Sequence, residues 1–321
     1  MAERAGSGHP RIEAVRVCAR TVVYATPMRA PMPYVSRLET NHPPSNAPTM
    51  DIQTPAPPPE GCISCEVVDT HILLIGINRP AKRNGWTPRM FRELAEAYTR
   101  LDDEPELRVG VLHAFGDHFT AGLDLPQVVE HLRRGEKLAP MGLVEPHDFG
   151  LPGYRRRTKP MVAAVKGICY TVGIELMLGA DITVAADDCR FSQMEVQRCI
   201  LPTGGATLRM PERAGVGNAL LHLLTADEFD AAEAYRCNFV QKVVPAAEVL
   251  DAAVGIARRI AAQAPQAVVA TRLNVLKAIE LGQAAAVADF GPVQQRLQTT
   301  EDAAEGVRAF VERRPARFTG R

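Results

Sequence analysis

The sequence predicts a mixed fold of the α/β or α+β class, and three observations carry that prediction. Apolar strand-like runs, several followed by a helical pattern, occupy residues 61–245. Residues 246–321 are Ala-rich and helical, with no strand signal. The chain has 321 residues and 46% hydrophobic content, which is enough for one large core. We therefore expect a strand-and-helix core at 61–245 and a helical region at 246–321.

Residues 1–60 differ in composition from the rest of the chain. They hold eleven of the 25 prolines and show no sustained period of 2 or 3.6. We interpret them as a disordered, Pro-rich arm. Because no acidic residue occurs between Glu13 and Glu39 while arginines do, a transit peptide is one alternative. A dispensable tail and a start at Met50 are the others.

The charge balance argues against two classes of partner. Lys plus Arg equals Asp plus Glu at 37 each, so no global field attracts nucleic acid or an anionic membrane surface. No apolar run is long enough to cross a bilayer. We expect neither a nucleic-acid partner nor a membrane partner.

The seven cysteines are odd in number and irregularly spaced, which favours a reducing compartment. We expect a cytoplasmic protein, or one of the mitochondrial matrix if the arm is a transit peptide. Cys62 and Cys65 form an isolated C-x-x-C without the four-ligand spacing of a zinc site, so we expect no metal.

The ordered part begins with a hairpin and an amphipathic helix. Two strand-like runs, 66–68 and 71–77, meet at Asp69-Thr70. Thr87 and Pro88 provide an N-cap and a first helical residue, and apolar residues then recur at helical spacing to Leu101. A buried strand is expected at 109–115, followed by sharp turns at Gly116 and Gly122.

The polar residues 125–158 predict one helix and then a mobile surface segment. The central stretch, 160–201, reads as a strand, a turn at Gly167, a helix that begins near Val172, a second strand and a polar return. Two glutamates, Glu175 and Glu195, lie in this stretch among apolar or weakly polar neighbours. Such carboxylates are candidates for acid–base chemistry.

Several motifs, in this order, resemble signatures of the crotonase, or enoyl-CoA hydratase/isomerase, family. GDHFTAGLDL at 116–125 contains a pattern similar to A-G-x-D-[IL]. KPMVAAVKGICYTVGIELMLGAD at 159–181 resembles K-P-x-I-A-A-V-x-G-x-A-x-G-G-G-x-E-L-x-x-x-x-D. EGVRAFVERRPARF at 305–318 is similar to the family ending E-G-x-x-A-F-x-E-K-R-x-P-x-F. The resemblance covers about residues 63–320.

The resemblance implies a spiral of ββα units with two roughly perpendicular sheets, and C-terminal helices that build a homotrimer or a dimer of trimers. It implies an acyl-CoA thioester as substrate, a chemistry used in fatty-acid β-oxidation, and no cofactor beyond the coenzyme A of the substrate. Carried over by position, the backbone NH groups of an oxyanion hole fall on Leu123 and Val172. Substrate-binding positions beside them fall on Ala121, Gly122, Asp124, Tyr170 and Gly173.

Glu175 and Glu195 lie 20 positions apart and match the two glutamates of the family's hydratases. A carboxylate can take a proton from water while a carboxylic acid gives one to the α-carbon. Two carboxyls around one water also push their pKa values apart. We assign Glu195 to proton transfer at Cα and Glu175 to the water. The structural alternative makes Glu175 a helix-dipole partner and Glu195 a surface residue.

Further positions in the matching motifs have family roles. Arg79, Lys82 and Arg83 lie where the family contacts the coenzyme A nucleotide, although such basic clusters are also found merely solvated. Phe310 and Arg314 are expected to close the nucleotide site across a subunit boundary. We expect Asp124 and Asp181 to cap or brace turns, and we expect structural roles for two histidines, His113 and His118.

The chain departs from the family pattern where most members have G-G-G. Thr171-Val172-Gly173 stands there, and Tyr170 replaces a small aliphatic residue. The Val172 NH survives, and we expect its β-branched side chain to narrow the pocket. The sequence thus predicts a reversible trans-2-enoyl-CoA hydratase. The alternatives are an isomerase, a thioester hydrolase, a carnitinyl-CoA-like dehydratase and a non-catalytic acyl-CoA-binding subunit.

Overall fold

The computed structural model describes residues 56–321. The expected arm at 1–60 therefore lies almost entirely outside the described residues. Within them, strands and helices alternate up to residue 244, and the chain is helical thereafter, so the predicted mixed fold is confirmed. None of the helices at 56–321 is both long enough and apolar enough to span a membrane.

The strands are β1 (Cys62–Val68), β2 (Ile72–Asn78), β3 (Val109–Ala114), β4 (Met161–Val165), β5 (Ile168–Tyr170), β6 (Ile182–Ala186), β7 (Arg190–Ser192), β8 (Phe229–Asp230) and β9 (Lys242–Val244). The helices are α1 (Pro88–Asp103), α2 (Leu125–Arg133), α3 (Val172–Gly179), α4 (Ala206–Ala214), α5 (Val216–Thr225), α6 (Ala231–Arg236), α7 (Val249–Ala261), α8 (Pro265–Leu281), α9 (Gln283–Ala288), α10 (Phe290–Gln298) and α11 (Glu301–Glu312).

Six strands form the main sheet in the order β1-β2-β3-β4-β6-β9. β1 and β2 are antiparallel, and every later neighbour pairs in parallel. Asp69 and Thr70 form the tight turn between β1 and β2, both with positive φ, so the predicted hairpin is confirmed. Cys62 and Cys65 both lie on β1, where residues three apart point to opposite faces. They are therefore unsuited to share a metal or a disulfide.

The second sheet has the order β5-β7-β8, and the chain enters it directly from the main sheet. Between β4 and β5 the chain turns at Gly167, whose φ is +55° and where a β-carbon would clash with the carbonyl oxygen of Asp117. This turn brings β5 beside the preceding loop, since Thr120 NH donates to Ile168 and Tyr170 NH donates to Thr120, each at 3.0 Å. Two distant parts of the sequence are thereby held together.

Helix α1 forms as predicted and covers β1 and β2. Its N-cap, Thr87, accepts a hydrogen bond from Met90 NH at 3.3 Å, and Pro88 occupies the first turn. Its apolar side is buried, including Phe91, Leu94 and Leu101.

The structural core continues past residue 245 into the helical region. Helix α7 packs against β3, β4 and β6, and Ala253, Val254 and Ala257 are fully buried. Beyond it, helices α8 to α11 carry exposed apolar side chains, among them Val275, Ile279, Phe290, Val307 and Phe310. The hydrophobic core therefore extends across the change from strands to helices near residue 246.

The segment between α2 and β4 is not the mobile surface segment that its polar sequence suggested. Asp148 and Arg157 are buried, and they join Asp181 and Arg272 in a network of ion pairs. Arg272 contacts Asp148 at 2.6 Å and Asp181 at 2.7 Å, and Arg157 contacts Asp181 at 2.9 Å. The prediction was wrong because these charges are paired with partners distant in sequence.

Candidate active site

The first backbone donor lies in the loop between β3 and α2. Trp86 NH donates to the carbonyl of Gly122, and Asp124 NH donates to the carbonyl of Trp86. Both bonds join the Leu123 segment to Trp86, one on each side of Leu123. The Leu123 NH itself points away from Trp86, because successive NH groups of an extended chain point in opposite directions. Among residues 56–321, the Leu123 NH has no hydrogen-bond acceptor.

The second donor lies at the start of α3. Val172 is the first residue of this helix, and the first NH groups of a helix have no partner within it. The positive end of the helix dipole favours negative charge at this position. The Val172 side chain is only 3% exposed and belongs to the hydrophobic core. The expectation that this side chain narrows a pocket is therefore wrong, because the side chain packs in the hydrophobic core.

The two donor-bearing segments touch. Thr171, immediately before Val172, has φ 50° and ψ −115° and packs against Gly122. One residue further on, a β-carbon on Gly173 would lie 2.6 Å from Cγ2 of Thr120, so this position of the family's G-G-G requires glycine. The arrangement suits two NH groups directed at one anionic oxygen.

Glu175 is buried on α3, one turn after Val172. Its Oε1 accepts from Gly204 NH at 2.7 Å and from Ala206 NH at 3.4 Å. Burial raises the pKa of Glu175, and this effect exceeds the opposing influence of His147 and of the two backbone donors. A buried carboxyl with a raised pKa that accepts from the start of α4 is more than a partner of the dipole of its own helix, α3.

Glu195 begins the short 3₁₀ turn Glu195–Arg198 and is coupled to Glu175. Burial, followed by repulsion from Glu175, raises the pKa of Glu195 to about 7. Its Oε1 accepts from Gln193 at 3.1 Å, and its buried Oε2 has no hydrogen-bond partner among residues 56–321. The structure thus brings the two predicted glutamates together, and Glu195 is not a simple surface residue.

Sequence reasoning missed the residues behind Glu175. His147 and Arg209 act electrostatically on its carboxyl, and a β-carbon on Gly204 would clash with it. His147 lies in the segment that was expected to be mobile, where no periodic pattern marks it. The only local signal was the proximity of Glu145 and His147 in a polar stretch.

Of the three basic residues predicted to contact a nucleotide, Arg79 is buried, and Lys82 and Arg83 are exposed. Arg79 is buried, pairs with Asp124 at 2.9 Å and donates to the carbonyl oxygens of Pro59 and Gly85. It braces the Gly122–Asp124 loop, so the expectation that it contacts a nucleotide is wrong. Lys82 and Arg83 are exposed, and the Arg83 carbonyl accepts from Ala121 NH at 2.9 Å.

Tyr170 lies at the end of β5, next to the donor segment. Its hydroxyl donates a short hydrogen bond to Glu228. Burial and the Glu228 carboxylate together raise the pKa of Tyr170 to about 12, against the opposing charges of Arg190 and Arg83. The Tyr170 ring is therefore tethered, and Arg83 lies near it.

The C-terminal candidates lie on or just beyond α11. Phe310 is 85% exposed, while Arg314 forms ion pairs with Glu305 and Glu312 at 2.6 Å each. A role for either residue at a nucleotide therefore stays a prediction.

The predicted structural residues have internal partners. Asp181 accepts from Arg157, Arg272 and the Met161 NH, which keep its pKa low although burial alone would raise it. Asp124 makes no side-chain cap and instead pairs with Arg79.

The two histidines are also structural. Burial lowers the pKa of His113 to about 4. His118 accepts from the Ile168 NH at 3.2 Å.

One group in the described part of the chain offers three metal-binding side chains: His222, Glu233 and Cys237, with ligand atoms within 4.8 Å of one another. Glu233 already pairs with Arg236 at 2.6 Å, and burial raises the pKa of the Cys237 thiol. A guanidinium beside a protonated thiol disfavours a divalent cation. The group is better described as a hydrogen-bonded cluster.

A cavity of about 900 Å³ lies against α8 and the ion-pair network. Neither Glu175 nor Glu195 is among its lining residues, so it is not the space between the two glutamates.

Comparison with known proteins gives consistent results. The family model described as enoyl-CoA hydratase/isomerase matches residues 68–321. Enoyl-CoA hydratase EchA19 of Mycobacterium tuberculosis is 31% identical over 251 residues, which are 78% of this chain and 94% of the relative. Carnitinyl-CoA dehydratase of Proteus mirabilis is 33% identical over 261 residues, 78% of this chain and 95% of the relative. A probable enoyl-CoA hydratase/isomerase from Mycobacterium abscessus superposes with a TM-score of 0.77 at 45% identity, covering 81% of this chain and 98% of that one.

Proposed function

The chain belongs to the enoyl-CoA hydratase/isomerase, or crotonase, family, and we propose that it is a hydro-lyase that adds water reversibly to a trans-2-enoyl-CoA. The observation that carries the proposal is the interacting pair of carboxyls, in which burial and then repulsion from Glu175 raise the pKa of Glu195 to about 7. A pair that holds one proton near neutral pH can supply both the base and the acid that hydration needs.

The thioester carbonyl takes up the negative charge of the reaction. When water bonds to Cβ, electrons move through the double bond and form an enolate oxygen. In this proposal the backbone NH groups of Leu123 and Val172 stabilise that oxygen. Preorganised donors of this kind contribute about 3 to 4 kcal/mol each to lowering a barrier. Because the carbonyl is the electron sink, the mechanism requires no metal or redox cofactor.

The two glutamates then divide the proton transfers. The Glu175 carboxylate accepts a proton from water as the water oxygen bonds to Cβ. The Glu195 carboxylic acid gives its proton to Cα on the same face. The addition is therefore syn, and the product is a 3-hydroxyacyl-CoA. The pair as a whole loses one proton and gains one, so its total charge is unchanged. The reverse reaction runs through the same steps.

The binding of coenzyme A and the assembly are also part of the proposal. Lys82 and Arg83 are exposed basic groups that suit the phosphates of the nucleotide. The exposed apolar side chains of helices α8 to α11, Phe310 among them, suit contacts in a homotrimer or a dimer of trimers.

A dehydration of a polar 3-hydroxyacyl-CoA is the second candidate. It is supported by the 33% identity to carnitinyl-CoA dehydratase. The same two glutamates and the same oxyanion donors would serve it, because dehydration is hydration in reverse.

The test is a panel of enoyl-CoA and 3-hydroxyacyl-CoA thioesters of different chain length and polarity. Hydration removes the ultraviolet absorbance of the conjugated thioester and adds the mass of one water. The double variant Glu175→Gln/Glu195→Gln provides the background rate. If no member of the panel reacts above that background while coenzyme A thioesters still bind by calorimetry, the protein is a binding subunit and the proposal is wrong.

A further inference from the structure

A glutamate and a histidine between α2 and β4 form a pair directed at Glu175. Glu145 is buried, and its Oε1 accepts from the backbone NH and from Nδ1 of His147, at 2.9 and 3.0 Å. Its Oε2 accepts from Phe149 NH at 2.9 Å. Burial alone would raise the pKa of Glu145, but the bonds and charge of His147 keep it below its usual value. Glu145 is therefore an anion that can only accept, so Nδ1 of His147 carries a hydrogen.

The other ring nitrogen of His147 faces Glu175. Nε2 is buried and has no hydrogen-bond partner in the part of the chain from 56 to 321. A β-carbon on Gly204 would lie 2.8 Å from this nitrogen and would clash with Oε2 of Glu175. Both atoms therefore border the same small space above Gly204. A buried polar nitrogen left without a partner is costly, which favours an interaction across that space.

Other charged groups also act on Glu175. Arg209 lies close enough to favour its ionised form, and Nη2 of Arg209 donates to the carbonyl of His147 at 2.6 Å. The charge of Glu175 in turn raises the pKa of Glu195, after the larger effect of burial. His147 and Arg209 thus favour the carboxylate of Glu175, and that carboxylate favours the acid form of Glu195.

We propose that Glu145 and His147 are positioning residues that orient Glu175 and stabilise it as the proton acceptor. Nδ1 of His147 is fixed by Glu145, and Nε2 is directed at Oε2 of Glu175 across the space beside Gly204. Glu195 is then the glutamate that holds the proton to be transferred to Cα. This assignment deepens the proposed hydration and rests on it.

The direct test measures the titration of Glu175. Carboxyl ¹³C resonances are followed with pH in the full-length protein, and the Glu175 signal is identified by its loss in Glu175→Gln. In His147→Gln the titration midpoint of Glu175 should move to higher pH by about one unit, because a favourable neighbour of the carboxylate is lost. His131→Gln is the matched control, since it removes another histidine–glutamate pair, with Glu136 at 2.8 Å.

The kinetic test follows the same variants. For His147→Gln, kcat should fall about tenfold and its acid limb should move to higher pH, with little change in KM. His147→Asn keeps a donor for Glu145 and lacks Nε2, so it should behave in the same way even if His147→Gln folds poorly. An unchanged Glu175 titration in a folded variant would overturn the proposal. Absence of enoyl-CoA hydration in the unaltered protein would instead overturn the proposed function, and the ¹³C titration distinguishes the two.

Discussion

A β-carbon added to Gly122 would lie 2.5 Å from Oγ1 of Thr171, so the two loops that carry the candidate oxyanion donors are in direct contact. Gly122 has φ +105°, and Thr171 has φ 50°. Each loop is thus held in a conformation that L-residues rarely adopt, and each supports the other. The directions of the Leu123 and Val172 NH groups are therefore set jointly.

Gly122→Ala should separate the two loops. We expect kcat to fall by about 10² to 10³, as when one oxyanion donor is lost. The control is Gly142→Ala, because Gly142 also has positive φ, at 84°, but has nothing within 4 Å of an added β-carbon. It should cost only about 1 kcal/mol of backbone strain and leave kcat unchanged. Equal activity of the two variants would mean that contact between the loops does not matter.

Replacement of either glutamate by glutamine should reduce turnover and preserve the fold. Glutamine has nearly the same shape and cannot exchange the proton, so Glu175→Gln and Glu195→Gln should each lower kcat by about 10² to 10⁴. Turnover is measured with the enoyl-CoA thioester that reacts fastest, and folding is checked by thermal unfolding. Near wild-type rates for both variants would refute the two-carboxylate mechanism.

The pH dependence of hydration should be bell-shaped. Glu195 must hold its proton, and its pKa of about 7 predicts that kcat falls above that pH. Glu175 must lose its proton, and burial raises its pKa, so kcat should also fall on the acid side. A profile that stays flat from pH 5 to about 9 would contradict this assignment.

Stability should depend on the same proton of Glu195. Because its pKa in the folded chain is about 7 against an ordinary 4.5, the folded state binds this proton more tightly. This contribution to the free energy of unfolding is complete below pH 4.5 and is lost as pH rises to about 7. Glu195→Gln lacks this proton, so its free energy of unfolding should not show the same loss between pH 4.5 and pH 8. After allowance for the partly exposed side chain, the difference in unfolding free energy between variant and unaltered protein should shift by about 2 kcal/mol in favour of the variant from pH 4.5 to pH 8. Denaturant unfolding at the two pH values measures this gain, and equal differences at both would be evidence against it.

Arg272→Met should be strongly destabilising. The substitution leaves Asp148 and Asp181 without a guanidinium that contacts them at 2.6 and 2.7 Å. Removal of one partner from such a buried network costs about 3 to 5 kcal/mol. Arg258→Met is a suitable control because it removes an exposed pair with Asp69 and should cost at most about 1 kcal/mol. Similar unfolding midpoints for the two variants would argue against a stabilising network.

The sequence predicted the features that depend on local patterns. The turn at Asp69-Thr70, the helix that begins at Pro88 and the helix that begins at Val172 follow from turn chemistry, capping and periodicity. The pairing of Glu175 with Glu195 followed from the family resemblance, and the structure supports it through their coupled carboxyls.

What the sequence could not predict depends on partners far apart in the chain. Asp148 and Arg272 are 124 positions apart, and neither lies in a pattern that predicts burial. Arg79 looked like a free cation because its partner, Asp124, belongs to another loop. Val172 looked like a pocket residue because its position in a motif does not show on which side its side chain packs.

The position of Arg272 has a consequence for any attempt to shorten the protein. A chain cut after α7 would keep every strand of both sheets, yet it would lose a guanidinium that pairs with both Asp148 and Asp181. Asp148 directly follows His147 in the sequence, so the damage would reach the neighbourhood of Glu175. Helix α8 is thus part of what stabilises the fold around Glu175, and it cannot be removed as an independent module.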